Sequence, residues 1–152
     1  MATMDADLLF LDTNVLVYAS VASSLRHAEC LAFLQRQEDA GVGMVINRQV
    51  LREFVAVLSR PQVFTPRVPM GEIVSLVTAF RQAWTVFDET EETSDRLLRL
   101  VSEIPCGGKQ IHDANIVATM LFHDVPTLAT YNLADFRRFE PYIHLTTPGV
   151  SS

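Results

Sequence analysis

The sequence is short of cysteine, short of positive charge, and without a long apolar run. Only Cys30 and Cys106 occur in 152 residues. Neither sits in a C-x-x-C pair or among histidines, so no disulfide framework and no zinc cluster is expected. Twelve Lys and Arg against eighteen Asp and Glu leave a net charge of -6, which excludes the broad basic surface that grips nucleic acid without regard to sequence. Any nucleic-acid partner has to be held by a local patch or through bound cations. No apolar stretch approaches the roughly 18 residues of a membrane-spanning helix. Met1–Asp7, with two acids and no basic residue, lacks the pattern of a signal peptide. A reducing cytoplasm is the expected setting.

What is present is a chain that is 49% hydrophobic, enough for one compact core and too little for two, so residues 1–152 are expected to form a single domain. Leu8-Leu9-Phe10-Leu11 is apolar without alternation, as in a strand buried on both faces, and Asp12 emerges at its carboxyl end. Thr13 or Asp12 can cap the apolar segment that follows. A helix is expected from Ser23-Ser24, with Ala28, Leu31, Ala32 and Leu34 facing inward, ending at Gly41. Val42–Ile46 reads as a second strand, Asn47 as a cap, and Val50, Leu51, Phe54, Val55, Val57 and Leu58 as the apolar arc of a helix stopping before Pro61. Pro61 to Pro69 is expected to be loop. Ile73, Leu76, Val77 and Phe80 mark another helix, and Trp84–Phe87 a short strand. A further helix opens at Glu91 and Glu92, with Leu97, Leu98 and Val101 inward. Ile111–Phe122 is apolar almost all round, as a deeply buried helix should be. Thr127–Thr130, a short helix over 133–139, and Ile143–Leu145 complete an alternation of strands and helices. That order predicts an α/β domain with a mainly parallel sheet and helices on both faces.

Against this frame some carboxylates have no structural excuse. Glu53 borders the apolar arc of its helix, and no Lys or Arg stands three or four residues away to pair with it; otherwise it is an edge residue reaching solvent. Asp113 shares a helical stripe with Ile116, Val117 and Met120, a face that ought to be buried, where an unpaired charge costs several kcal/mol unless a cation joins it. Its ordinary alternatives are complementing the helix amino terminus or pairing with Lys109. Asp135 can instead cap the short helix after the fourth strand and pair with Arg138, and Asn132 either supplies a neutral oxygen there or forms a turn. In an open parallel sheet, Asp12, Glu53, Asp113 and Asp135 or Asn132 can converge on the crevice beyond the strands' carboxyl ends. Three or four hard oxygen donors without Cys or His favour Mg²⁺ or Mn²⁺.

Four segments in order, Leu11-Asp12-Thr13-Asn14-Val15-Leu16, Leu51-Arg52-Glu53-Phe54, His112-Asp113-Ala114-Asn115-Ile116-Val117-Ala118 and Leu128-Ala129-Thr130-Tyr131-Asn132-Leu133-Ala134-Asp135-Phe136, give the chain a resemblance to PIN-domain proteins, and within them to the VapC-type ribonuclease toxins of bacterial toxin-antitoxin pairs. The resemblance implies a three-layer α/β/α fold around a mainly parallel sheet. It implies Asp12, Glu53 and Asp113 as metal-binding acids, and Asn14 and Thr130 as polar residues shaping the site. Many relatives carry an acid where this chain has Asn132, so either Asn132 or Asp135 completes the set, with one ion or two. Also implied are an RNA substrate, a homodimer, and an antitoxin segment that covers the site. Arg48, Arg52, Lys109, Arg137 and Arg138 flank these segments, as phosphate contacts or as solvated surface.

A haloacid-dehalogenase-type phosphatase needs an acid two residues beyond the first, where this chain has Asn14, whose amide is no useful proton donor. A receiver-like module needs an acidic pair near the start and a lysine at a later strand end; Asp5 and Asp7 lie before the strand and Lys109 is not at a strand end. A PIN nuclease of RNA processing without an antitoxin, and a PIN scaffold kept for protein binding, are the remaining alternatives.

Overall fold

The structure is a computed structural model and describes residues 7–61 and 67–149; residues 62–66 of the expected Pro61–Pro69 loop lie outside the described residues. Strands β1 (Leu8–Leu11), β2 (Gly43–Asn47), β3 (Thr85–Phe87), β4 (Thr127–Ala129) and β5 (His144–Thr146) form one sheet in the order β3-β2-β1-β4-β5. Every neighbouring pair is parallel. In register, Phe10 stands opposite Val45 on one side and Leu128 on the other, all three buried. This double burial is why β1 reads as unbroken apolar sequence.

The helices are α1 (Thr13–Ser20), α2 (His27–Asp39), α3 (Arg48–Leu58), α4 (Met70–Ala83), α5 (Glu91–Glu103), α6 (Gln110–Phe122) and α7 (Leu133–Phe136), the last continued by a 3-10 turn at Arg137–Phe139. From β1 the chain steps outward to β2 and β3, then returns to lay β4 on the other side of β1. Because parallel crossovers are right-handed, this reversal puts α1 to α4 on one face and α5 to α7 on the other. The packing agrees, with α1 on α2 and α3, α3 on α4, α5 on α6 and α6 on α7. The result is the three-layer α/β/α arrangement, with Phe10, Phe54, Phe136 and Phe139 fully buried between layers.

Two helices face the core differently from expectation. The segment from Ser23 is turn rather than helix, and α2 begins only at His27, whose Nδ1 lies 2.9 Å from the Tyr18 carbonyl oxygen. Its buried residues are Cys30 and Phe33, while Leu31 is 45% exposed and Ala28 and Ala32 face solvent. In α5, Leu98 is 65% exposed and Leu100 enters the core instead. The remaining elements fall within a residue or two of their expected bounds.

Candidate active site

The reversal of strand order lies between β1 and β4, and an open parallel sheet keeps its ligand crevice beyond the carboxyl ends of the strands at such a reversal. Asp12 follows β1 directly and Thr130 follows β4, and the two meet there: the Thr130 hydroxyl donates to Asp12 Oδ2 at 2.8 Å. Asp12 is also the amino-terminal cap of α1, its Oδ1 accepting from the Thr13 N–H at 2.8 Å. Asn14 Nδ2 donates to Asp12 Oδ2 at 3.2 Å and to Thr130 Oγ1 at 3.3 Å, while its Oδ1 accepts from the Tyr131 N–H. Asn14 thus stitches the ends of β1 and β4 together.

Glu53 arrives from the opposite neighbour of β1. It lies in α3, which starts straight after β2 with Asn47 accepting from the Val50 N–H. One of its oxygens accepts from the Thr13 hydroxyl at 2.8 Å, the other from Gln49 Nε2 at 2.8 Å. Thr13 therefore holds Asp12 by its backbone and Glu53 by its side chain. Asp113 sits in the first turn of α6. A short turn joins the end of α6 to β4, so α6 runs back against the strands and its first turn stands at the carboxyl edge of the sheet.

Asp12, Glu53, Asp113 and Asn132 line one cleft of about 690 Å³ together with Val17, Tyr18, Val21, Val57 and Arg60. Burial pushes the Asp12 carboxyl up to about 6, with the Glu53 charge adding to it and the Thr130 and Thr13 hydrogen bonds opposing it. Asp113 is pushed up to about 7, first by burial and then by the charges of Asp12, Asp135 and Glu53, with Arg138 pulling the other way. Asp135 itself is exposed and does not line the cleft. Its charge nevertheless reaches Asp113.

Among the described residues the ion pairs are Arg48–Asp88, Arg52–Glu89 and Arg137–Glu140. None involves a cleft carboxylate, so neither Lys109 nor Arg138 neutralises Asp113 or Asp135 by direct pairing. Asp12 and Asp113, both raised by burial and by neighbouring carboxylates, and Glu53 beside them make no ion pair although Arg60 shares the cleft, and carboxylate oxygens are the donors a hard divalent cation prefers. As they stand, no three His, Cys, Asp or Glu side chains of the described residues form a closed metal-binding set. Asp12 and Glu53 are instead held by Thr13, Thr130, Asn14 and Gln49. Of these holders, Thr13 was read from sequence only as a cap and Gln49 not at all. The available signal for Gln49 was its place four residues before Glu53, where a carboxamide can reach a carboxylate on the same helix face.

Comparison with known proteins places these features in a family. The PIN domain pattern matches residues 9–140. Ribonuclease VapC24 of Mycobacterium tuberculosis is 27% identical over 135 residues, covering 87% of this chain and 91% of the relative. Among solved structures, VapBC2 from Rickettsia felis bound to a DNA fragment from its promoter superposes with a TM-score of 0.69 at 19% identity, covering 92% of this chain and 98% of that one. The sarcin-ricin loop cleaving toxin VapC20 of Mycobacterium tuberculosis gives 0.64 at 15% identity, covering 85% and 93%. With the match running from β1 to the end of the last helical turn and the carboxylates gathered where the strand order reverses, the chain belongs to the PIN-domain family.

Proposed function

We propose that this chain is a divalent-metal-dependent endoribonuclease, the toxin of a toxin-antitoxin pair, acting in the cytoplasm as one domain spanning residues 1–152. The observation that carries this reading is the convergence of Asp12, Glu53 and Asp113 from three separate elements on one cleft without an ion pair. The name and length of the VapC24 relative support it. So do the solved toxin-antitoxin assemblies that share the fold, which also motivate an antitoxin partner; a homodimer is carried over from the family resemblance alone.

Asp12, Glu53 and Asp113 would hold Mg²⁺ or Mn²⁺, and Asn14 and Thr130 would orient Asp12. When bound, such an ion would offset the negative charge that develops on the oxygens around the attacked phosphorus and would activate water for attack. Thr13 keeps Asp12 and Glu53 at a fixed separation through its N–H and hydroxyl. Asp113 takes part in none of the side-chain hydrogen bonds or ion pairs of the described residues. Its oxygens are therefore open to an ion or to water, and any of the three acids could accept a proton from the attacking water. Asn132, lining the cleft, contributes a neutral oxygen or amide to the substrate side, and Asp135 adds negative field from outside it. Without the ion, the acids repel RNA.

Expression of the wild-type chain should arrest growth and the Asp113→Asn variant should not. The purified wild type should cleave RNA with Mg²⁺ or Mn²⁺ and stop in EDTA. Equal cleavage by the variant would overturn the assignment. Cleavage without growth arrest would move the protein to RNA processing without an antitoxin.

A further inference from the structure

We infer that Gln49 is a positioning residue, which fixes Glu53 relative to the turn carrying Asp113 and so sets how tightly the cleft binds a divalent ion. The inference rests on the nuclease reading and extends it to a residue outside the carboxylate set. Gln49 is 5% exposed, although it is polar and lies in the first turn of α3. Its Nε2 donates to Glu53 Oε1 at 2.8 Å and to the His112 carbonyl at 2.9 Å, and its Oε1 accepts from Asn115 Nδ2 at 2.7 Å.

The orientation of this carboxamide is dictated by its neighbours. A carboxylate and a carbonyl can only accept, so the nitrogen must face them, and the oxygen is left for Asn115. Only an amide meets both demands at once. The two acceptors belong to different layers: Glu53 to α3, and His112 to the first turn of α6, one residue before Asp113. The side chain thus spans the carboxyl edge of the sheet and ties one acid to the backbone of another's turn. Hydrogen-bond partners of metal-binding carboxylates hold them in place, and their loss usually lowers metal affinity about 10- to 100-fold.

A second link between β2 and α6 supplies a matched control. Asn47 Nδ2 donates to Thr119 Oγ1 at 3.3 Å, with both residues fully buried and neither lining the cleft. Thr119→Val breaks that link and the hydroxyl's bond to the Asn115 carbonyl while keeping the shape of the side chain and leaving the Asn115 amide on Gln49. Gln49→Met keeps volume but removes all three hydrogen bonds, and Asn115→Ala removes one of the three, that to Gln49 Oε1, together with a long exposed contact to Glu89.

Direct Mn²⁺ titration of each purified variant, followed by electron paramagnetic resonance of the free ion, tests the inference. Gln49→Met should raise the dissociation constant about tenfold or more, with Asn115→Ala intermediate. Thr119→Val should lower the melting temperature yet bind Mn²⁺ within about twofold of wild type, as a link remote from the ligands should. In cleavage assays Gln49→Met should lose kcat at fixed Mn²⁺, recover with excess ion, and keep its KM for RNA. Wild-type affinity in Gln49→Met, or equal weakening in Thr119→Val, would overturn the positioning role and leave the nuclease reading standing. No Mn²⁺ binding by the wild type would overturn both. Should Gln49→Met fail to fold, the contrast between Asn115→Ala and Thr119→Val decides in the same way.

Discussion

Replacing Asp113 by Asn should stabilise the protein in the absence of metal while abolishing its activity. Asp113 is pushed from 3.8 to about 7, first by burial and then by the charges of Asp12, Asp135 and Glu53. The folded chain therefore holds a proton at this position that the unfolded chain releases near its ordinary value. Between those limits the folded state binds more protons, so stability falls as pH rises, and the loss is complete above the folded value. A shift of about three units corresponds to ~4 kcal/mol if taken whole. The group is only half-buried, and solvent screening reduces the contribution to about 1–2 kcal/mol. Asn has no charge to lose, and among the described residues Asp113 makes no hydrogen bond that the change would break. In EDTA, calorimetric melting temperatures of variant and wild type should diverge between pH 4.5 and pH 8. The variant should gain about 3–6 °C over that range for a domain of this size. Saturating Mg²⁺ at pH 8 should then raise the wild type more than the variant, because ion binding stabilises only the chain that binds it. A variant no more stable than wild type at pH 8 in EDTA, or a gap that does not change with pH, would refute the electrostatic account of the cleft.

Thr130→Val removes the hydroxyl that donates to Asp12 and the acceptor of the Asn132 N–H. Asp12 should then sit further above its present value of about 6, and Mn²⁺ binding should weaken about tenfold. The loss should be larger at pH 6 than at pH 8, and an equal loss at both would contradict the role assigned to that hydrogen bond. Cys30 is fully buried and burial pushes its thiol up to about 11, whereas Cys106 is half-buried. At pH 8 about one Cys30 in a thousand is thiolate. A thiol reagent should thus label Cys106 quickly and Cys30 only in denaturant; rapid labelling of both would show that the α1–α2 contact opens readily.

The strands and their parallel order were legible because burial on both faces leaves unbroken apolar runs, as in Leu8–Leu11, and because helices separate them. The inward face of α2 was not. Leu31 looks like a core residue by type, but the face of α2 that packs on α1 carries the smaller Cys30, whose thiol donates to the Val15 carbonyl, and Phe33 is the other buried residue of the helix. Among the cleft carboxylates, Asp12 stood out at the end of a buried strand, Glu53 by having no Lys or Arg one turn away, and Asp113 by falling on an apolar stripe. Their supports were less visible: Gln49 and Thr13 are polar residues of ordinary helix starts, and apart from the local bonds of Gln49 to Glu53 and of Thr13 to Asp12 their bonds join positions 40 to 66 residues apart that no local periodicity encodes. The same holds for Arg48 and Arg52, whose partners Asp88 and Glu89 lie 40 and 37 residues away.

The sheet carries one more consequence at its margins. The strands on its two outer borders, β3 and β5, are three residues each, and their first residues, Thr85 and His144, are open to solvent. A second chain laid along either border would find only a few backbone groups to bond, too short a template for continuing the ladder from molecule to molecule. Edge-to-edge growth of the sheet from molecule to molecule is thereby disfavoured by the fold itself.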